Sequence, residues 1–273
     1  GGYMVRGWYT AASGMRAQQR QLDVISNNLA NVDTTSFKRD VSHQKSFPEL
    51  LLRRMNDDGV LRHPFGSVDM APIVGKLGLG VETNEVYTEF EQGSLKQTFS
   101  PSDLALDGLG FFAISTPQGE EYTRNGNFIV GVEGYLETKE GYPVMGEDGK
   151  IFLQDMEYKI DDDGRIFARP MTDPEADSQY IDRLKIVEFE NARYLNKKGS
   201  SFYLSNDITG EAISAEGPKR PRVVQNFLET SNVNVVNEMV RMIEVNRAYE
   251  ANQKAVHSAD AMMSKLWNEV VKA

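Results

Sequence analysis

Two stretches, one at each end of the chain, repeat their apolar residues in alternating steps of three and four. Near the start, Trp8, Ala11, Met15, Gln18, Leu22, Ile25, Leu29 and Val32 keep this step, while Arg16, Gln19, Arg20, Asp23 and Asn27 occupy the other faces. Near the end, Val235, Met242, Val245, Tyr249, Asn252, Val256, Ala259, Met263, Leu266 and Val270 keep it again, with Glu238 the polar exception in the first repeat. A seven-residue repeat gives a narrow coiled-coil-like seam rather than the broad apolar face of a globular helix. The chain must therefore provide two long helices with partners along their length.

Both helices have readable ends. Val32-Asp33-Thr34-Thr35-Ser36 supplies turn formers, so the first helix stops near Asn31. Ser231, Asn232 and Asn234 are N-cap candidates for the second. A helix from about 234 to 271 is roughly 55 Å long at ~1.5 Å per residue. Its start (Val233, Val235, Val236, Met239, Val240, Met242, Ile243) and its end (Met262, Met263, Leu266, Trp267, Val270, Val271) leave almost no polar face. A helix apolar nearly all round needs neighbours on several sides, more than one partner helix supplies. Two readings follow. The terminal seams either pair inside one closed monomer, or they make head-to-tail contacts between chains that do not close and so build a helical array. The apolar surplus favours the array.

The middle is different. Leu109–Ser115, Asn127–Gly131, Tyr142–Met145, Lys150–Leu153, Arg183–Phe189 and Ser201–Ser205 read as short strands, and Asn125-Gly126, Asp148-Gly149 and Asp163-Gly164 as hairpin turns. Phe47–Leu52, with Pro48 in its first turn, reads as the start of a short helix. Gly66–Gly80 reads as an extended linker. The expected fold is α+β: long N- and C-terminal helices packed as a coiled-coil-like pair around an inserted all-β domain. The expected layout is a helical assembly domain of residues 1–38 and 225–273, a linker and extended segment of 39–99 and 216–224, and a β domain of 100–215.

Chemistry is harder to find. A formal net charge of -10 disfavours nucleic acid and anionic membrane as partners, since both reward clustered cations. The absence of cysteine excludes disulfides and thiolate sites, and no apolar run reaches the ~20 residues of a membrane span. His43, His63 and His257 share no metal-ligand spacing. Asp161-Asp162-Asp163-Gly164 fails the calcium-loop pattern, with Lys159 at its first position and Pro170 at its twelfth. Gly75–Gly80 lacks the order of a phosphate loop. Asp103 and Asp107 are a conceivable carboxylate pair for a secreted carbohydrate-active enzyme, but 40 acidic residues produce such pairs by chance. We expect no enzyme, cofactor or metal.

Three motifs, in order, carry a resemblance. Tyr9–Met15 (YTAASGM), followed by Ser26–Val32 (SNNLANV) and Phe37-Lys38, resembles the N-terminal signature of bacterial flagellar rod and hook proteins. Thr123–Phe128 with Gly134-Tyr135-Leu136 and Gly141-Tyr142 is similar to that family's β-domain motif, and Asn234–Val240 with Arg247–Asn252 to its closing signature. Within the family, Met4–Met15 looks more like the proximal-rod type (FlgF) than the distal-rod type (FlgG), and Phe47–Met55 resembles the spirochaete version of the former. The resemblance implies a structural axial subunit in the periplasmic part of the basal-body rod, exported by the flagellar apparatus without a cleaved signal. It also implies assembly with itself and other rod proteins, the terminal helices forming an inner tube that transmits torque.

The assembly residues expected on this basis are Trp8, Met15, Leu22, Ile25, Asn28, Leu29 and Asn31 from the first helix. From the second they are Val235, Met239, Met242, Tyr249, Asn252, Val256, Met263 and Leu266. Without the resemblance, the asparagines of Ser26–Val32 read simply: Asn31 ends the helix and Asn27 is solvated. The resemblance implies that Asn28 bonds backbone as the chain leaves the tube, near Asn252 on the other helix. There it would set register at some cost in stability.

Overall fold

The computed structural model describes residues 2–46, 50–53, 60–63, 66–69, 73–77, 80–173, 175–199, 201–217 and 220–272. The chain divides into two units, one of residues 1–26, 42–86 and 239–273, the other of residues 27–41 and 87–238.

Helix α1 spans Gly2–Ala30 and α2 spans Val235–Lys272; both end close to where the sequence predicts, while α1 begins six residues before its seam. Asn31 closes α1: its backbone N–H reaches the carbonyls of Asn27 and Asn28, and its amide donates to Asn27 O at 2.9 Å. Asn234 caps α2 by accepting from the Asn237 N–H at 3.1 Å, satisfying one of the donors that a helix start leaves free.

After α1 come β1 (Asp40–Ser46), β2 (Leu50–Arg53), β3 (Val60–His63), β4 (Gly66–Asp69), β5 (Ile73–Leu77) and β6 (Val81–Thr88). They pair as nested couples, β1 with β6, β2 with β5 and β3 with β4. The helix expected at Phe47–Leu52 is corrected here. Leu50, Leu51 and Leu52 stand opposite Leu77, Lys76 and Gly75 in an antiparallel ladder, while residues 47–49 lie outside the described residues. Pairing across more than 20 residues outweighs the local signal of Pro48. The expected linker Gly66–Gly80 likewise carries two strands.

The second unit is β-rich: β7 (Leu95–Gln97), β8 (Leu104–Asp107), β9 (Phe111–Thr116), β10 (Gly119–Thr123), β11 (Phe128–Val130), β12 (Leu136–Thr138), β13 (Met156–Ile160), β14 (Arg165–Pro170), β15 (Gln179–Arg183), β16 (Ile186–Glu188), β17 (Asn196–Lys198), β18 (Phe202–Leu204), β19 (Ile213–Ser214), β20 (Arg222–Gln225) and β21 (Phe227–Glu229). An antiparallel six-stranded sheet runs in the order β17-β18-β10-β9-β16-β19. Successive side chains of a strand point to opposite faces, and β9 is apolar on both. Phe112 and Ile114 join a large cluster with Leu104, Phe128 and Ile166, whereas Phe111 and Ala113 join a smaller one with Tyr122, Phe189 and Tyr203. Asp163-Gly164 makes the expected hairpin between β13 and β14, with Gly164 at φ +79°. Asn125-Gly126 does not. It turns the chain out of β10 so that Gly126 O accepts from Leu104 N at 2.9 Å, and a Cβ there would lie 1.7 Å from Leu104 O. The returning strands β20 and β21 pair antiparallel with β8 and β7, so the segment leading into α2 is tied into this unit.

Candidate assembly surfaces

Along α2 the covered positions follow the seam. Val245 is buried and Val235, Met242, Tyr249, Asn252 and Val256 are half-buried, while Met263 is exposed. The backbone of Leu266 is helical, but its side chain lies outside the described residues. Glu238, the polar exception, is buried and pairs with Arg39 at 2.9 Å. Beside the seam, Val236, Met239, Val240 and Ile243 are each about half exposed or more, and Trp267 is 74% exposed. The surplus apolar face anticipated from the sequence is therefore uncovered in a single chain. Large apolar surfaces of this kind mark interaction sites.

On α1, Ile25 is buried and Trp8, Met15, Leu22 and Leu29 are half-buried. The indole N–H of Trp8 is shielded from solvent with no acceptor among the described residues. The helices touch where Asn252 donates to Gln18 Oε1 at 3.1 Å. A Cβ on Gly14 would lie 2.9 Å from Asn252 Nδ2, so the absence of a side chain there makes the approach possible. Tyr9, Ala12, Ser13, Arg16, Ala17 and Arg20 of α1 form a groove of about 520 Å³ with Val81, Glu82 and Thr83 of β6.

Asn28, expected near Asn252, bonds a different partner from it. Asn28 is buried and clasps Asp40 reciprocally: its amide donates to Asp40 O at 2.8 Å and its oxygen accepts from Asp40 N at 2.9 Å. The expectation of a backbone bond holds. Asn27 is exposed, as expected of a solvated residue.

Sequence reasoning missed the polar network behind this clasp. Glu229 is buried with Lys38 Nζ 2.7 Å from its Oε1 and Arg124 Nε 2.7 Å from its Oε2, and Oε1 also accepts from Gly93 N at 2.9 Å. Lys38 donates further to Glu91 O at 2.7 Å, and Arg124 to the carbonyls of Gly110, Leu106 and Gly108. Burial holds the Lys38 ammonium below the usual lysine range, against the opposing pull of Glu229. Nearby, Asn232 accepts from Arg39 N at 2.8 Å and donates to Glu89 O, and Lys197 pairs with Asp40 at 3.1 Å. Burial likewise lowers Lys197, opposed by Asp40. Nearly every charge carries a partner, as burial demands. The network fixes the segments 28–40 and 229–238 on the β framework. Phe37-Lys38 and Thr123–Phe128, both quoted as parts of signatures, held two of its members; the partner of Lys38 lies 191 residues away.

Comparison with known proteins decides what these surfaces belong to. Residues 9–38 match the family "Flagella basal body rod protein", 105–168 the "Flagellar hook protein FlgE/F/G D1 domain", and 224–268 the "Flagellar basal body rod FlgEFG protein C-terminal". "Flagellar basal-body rod protein FlgG" of Caulobacter vibrioides is 35% identical over 257 residues, 93% of this chain and 95% of that protein. The chain belongs to the flagellar basal-body rod and hook family. The protein of the same name from Borreliella burgdorferi is 34% identical over 265 residues, 95% of this chain and 97% of the relative, and that from Bacillus subtilis 32% over 268, 97% and 99%. These relatives carry the name FlgG, so the expected leaning to the proximal-rod type has no support from them. As a rod-family member the chain is a structural axial protein of the flagellum and not an enzyme, which disposes of Asp103 and Asp107 as a catalytic pair. No helix among the described residues is long and apolar enough to cross a membrane.

Proposed function

We propose that this chain is a distal-rod subunit of the FlgG type. It polymerises with copies of itself and joins other rod proteins through α1 and α2. Likeness over more than nine-tenths of both chains to several proteins of that name supports the reading, and the uncovered apolar face of α2 supports assembly through the helices. In this reading the seams of α1 and α2 pair as a coiled coil, and residues 1–38 and 225–273 form the assembly part. The β domain of 100–215 sits outside it, and 39–99 with 216–224 connects the two. The subunit reaches the periplasmic rod through the flagellar export apparatus without a cleaved signal. Close packing of many seams makes a shaft stiff, because packed interiors resist continuous deformation.

The observation that carries this proposal is the coincidence of a covered seam and an uncovered apolar stripe on one long helix. Leu29→Asp is the test. It should abolish rod assembly in cells while the purified protein keeps a folded β domain by circular dichroism. Normal rods in that strain would reject the proposal.

A further inference from the structure

The uncovered stripe is bulky and apolar, and the groove on α1 has a small-residue floor with charges on its rim. At ~100° per residue, Met239, Val240, Ile243, Arg247 and Glu250 fall within an arc of about 100° on α2. The three apolar members are 49%, 49% and 53% exposed. The floor of the α1–β6 groove is small, with Ala12, Ser13 and Ala17, which lets bulky aliphatic side chains approach closely. Its rim holds Arg16 and Arg20, one turn apart, and Glu82 on the strand side. Arg16, Arg20 and Glu82 have no ion-pair partner among the described residues, and neither do Arg247 and Glu250.

We propose that the Met239–Ile243 stripe of one copy seats in the groove of a second copy. Glu250 would then pair with Arg16 and Arg20, and Arg247 with Glu82. This deepens the assembly reading above and rests on it. Spacing fixes the direction. Val240 and Glu250 are about 15 Å apart along α2, and Tyr9 and Arg20 about 16 Å along α1, at ~1.5 Å per residue. The two helices therefore run the same way, with Val240 toward Tyr9 and Ala12 and Glu250 toward Arg20. Stripe and groove are different surfaces of one chain, so the contact is heterologous, and it repeats as an open helical array wherever its rotation does not close.

The absence of cysteine from the chain makes the test clean. Full-length Ala12→Cys and Val240→Cys proteins are prepared separately, mixed under polymerising conditions and oxidised. A covalent dimer should form in the mixture and be at least tenfold weaker with either protein alone or when Met262→Cys replaces Val240→Cys. Separately, Glu250→Arg should weaken self-association about tenfold by sedimentation, and Arg16→Glu with Arg20→Glu should restore it. If the parent chain polymerises but the 12–240 pair does not cross-link, the docking geometry is wrong while the assembly reading stands. Cross-linking only to a different rod protein overturns the second copy as occupant. A parent chain that stays monomeric at high concentration overturns both.

Discussion

Removing Lys38 from the buried network should destabilise the β-rich unit by an amount the geometry bounds. The Lys38 and Glu229 side chains are 1% and 0% exposed. Lys38→Met keeps the aliphatic stem and loses two bonds of 2.7 Å each, to Glu229 Oε1 and Glu91 O. Glu229 retains Arg124 and Gly93 N, so its charge is not stranded. Breaking a buried pair costs about 3–5 kcal/mol, and this residual pairing places Lys38→Met near 3. Glu229→Gln is worse, near 5, because it leaves two buried cations without their carboxylate and aims an amide donor at one of them. Urea unfolding followed by near-ultraviolet tyrosine dichroism reads this unit, since Tyr122 and Tyr203 lie in its smaller core. Tryptophan fluorescence does not, because Trp8 and Trp267 belong to the other unit. The midpoint should fall at constant slope. The pH dependence has a definite sign. Burial lowers Lys38 in the folded state, so between its folded and unfolded pKa the unfolded chain binds more protons and stability rises with pH. Glu229→Gln removes the opposing pull, lowering Lys38 further, so its deficit should narrow as pH rises toward the ordinary lysine range. A Lys38→Met cost under about 1 kcal/mol, or a Glu229→Gln variant milder than Lys38→Met, would refute this reasoning.

Three further outcomes are expected. Asn28→Leu strands both backbone groups of Asp40 and should cost about 1–3 kcal/mol in thermal or urea unfolding; an unchanged midpoint would deny the clasp a structural role. Gly126→Ala drives a Cβ to 1.7 Å from Leu104 O and should cost at least about 3 kcal/mol, lowering soluble yield; a variant of parental stability would show that this corner relaxes freely. Burial pushes the Tyr122 hydroxyl up to about 12. Its stabilising contribution is therefore complete below pH 10, where the unfolded tyrosine ionises, and is lost between pH 10 and 12. Tyr122→Phe should flatten that alkaline limb relative to the parent in pH-dependent unfolding, and identical limbs would contradict the assignment.

Both helices were legible because a seven-residue repeat is local and redundant over many turns, and their caps at Asn31 and Asn234 are short-range chemistry. Turn chemistry located the Asp163-Gly164 hairpin for the same reason. It failed at Asn125-Gly126, where the glycine serves a close approach to Leu104 rather than a two-residue loop. Leu50–Leu52 was misread because its pairing with Gly75–Leu77 is non-local, whereas the Pro48 signal is local. Lys38 and Arg124 stood in quoted motifs, but nothing local tied them to Glu229: the members of the network lie in three distant segments, and ordinary charged residues look alike until the fold removes them from water. Asn28 was singled out correctly as a backbone-binding residue, and the backbone it binds is that of the strand that follows.

Electron cryomicroscopy of the assembled rod from cells producing this chain tests the account most directly. Side-chain density should place Leu22, Ile25, Tyr249 and Val256 in packed seams within an inner helical layer. The now exposed Met239, Val240 and Ile243 should be buried against a neighbouring copy, with the β domain outside. A rod in which those three residues still face solvent, or in which this chain is absent from the distal shaft, would contradict it.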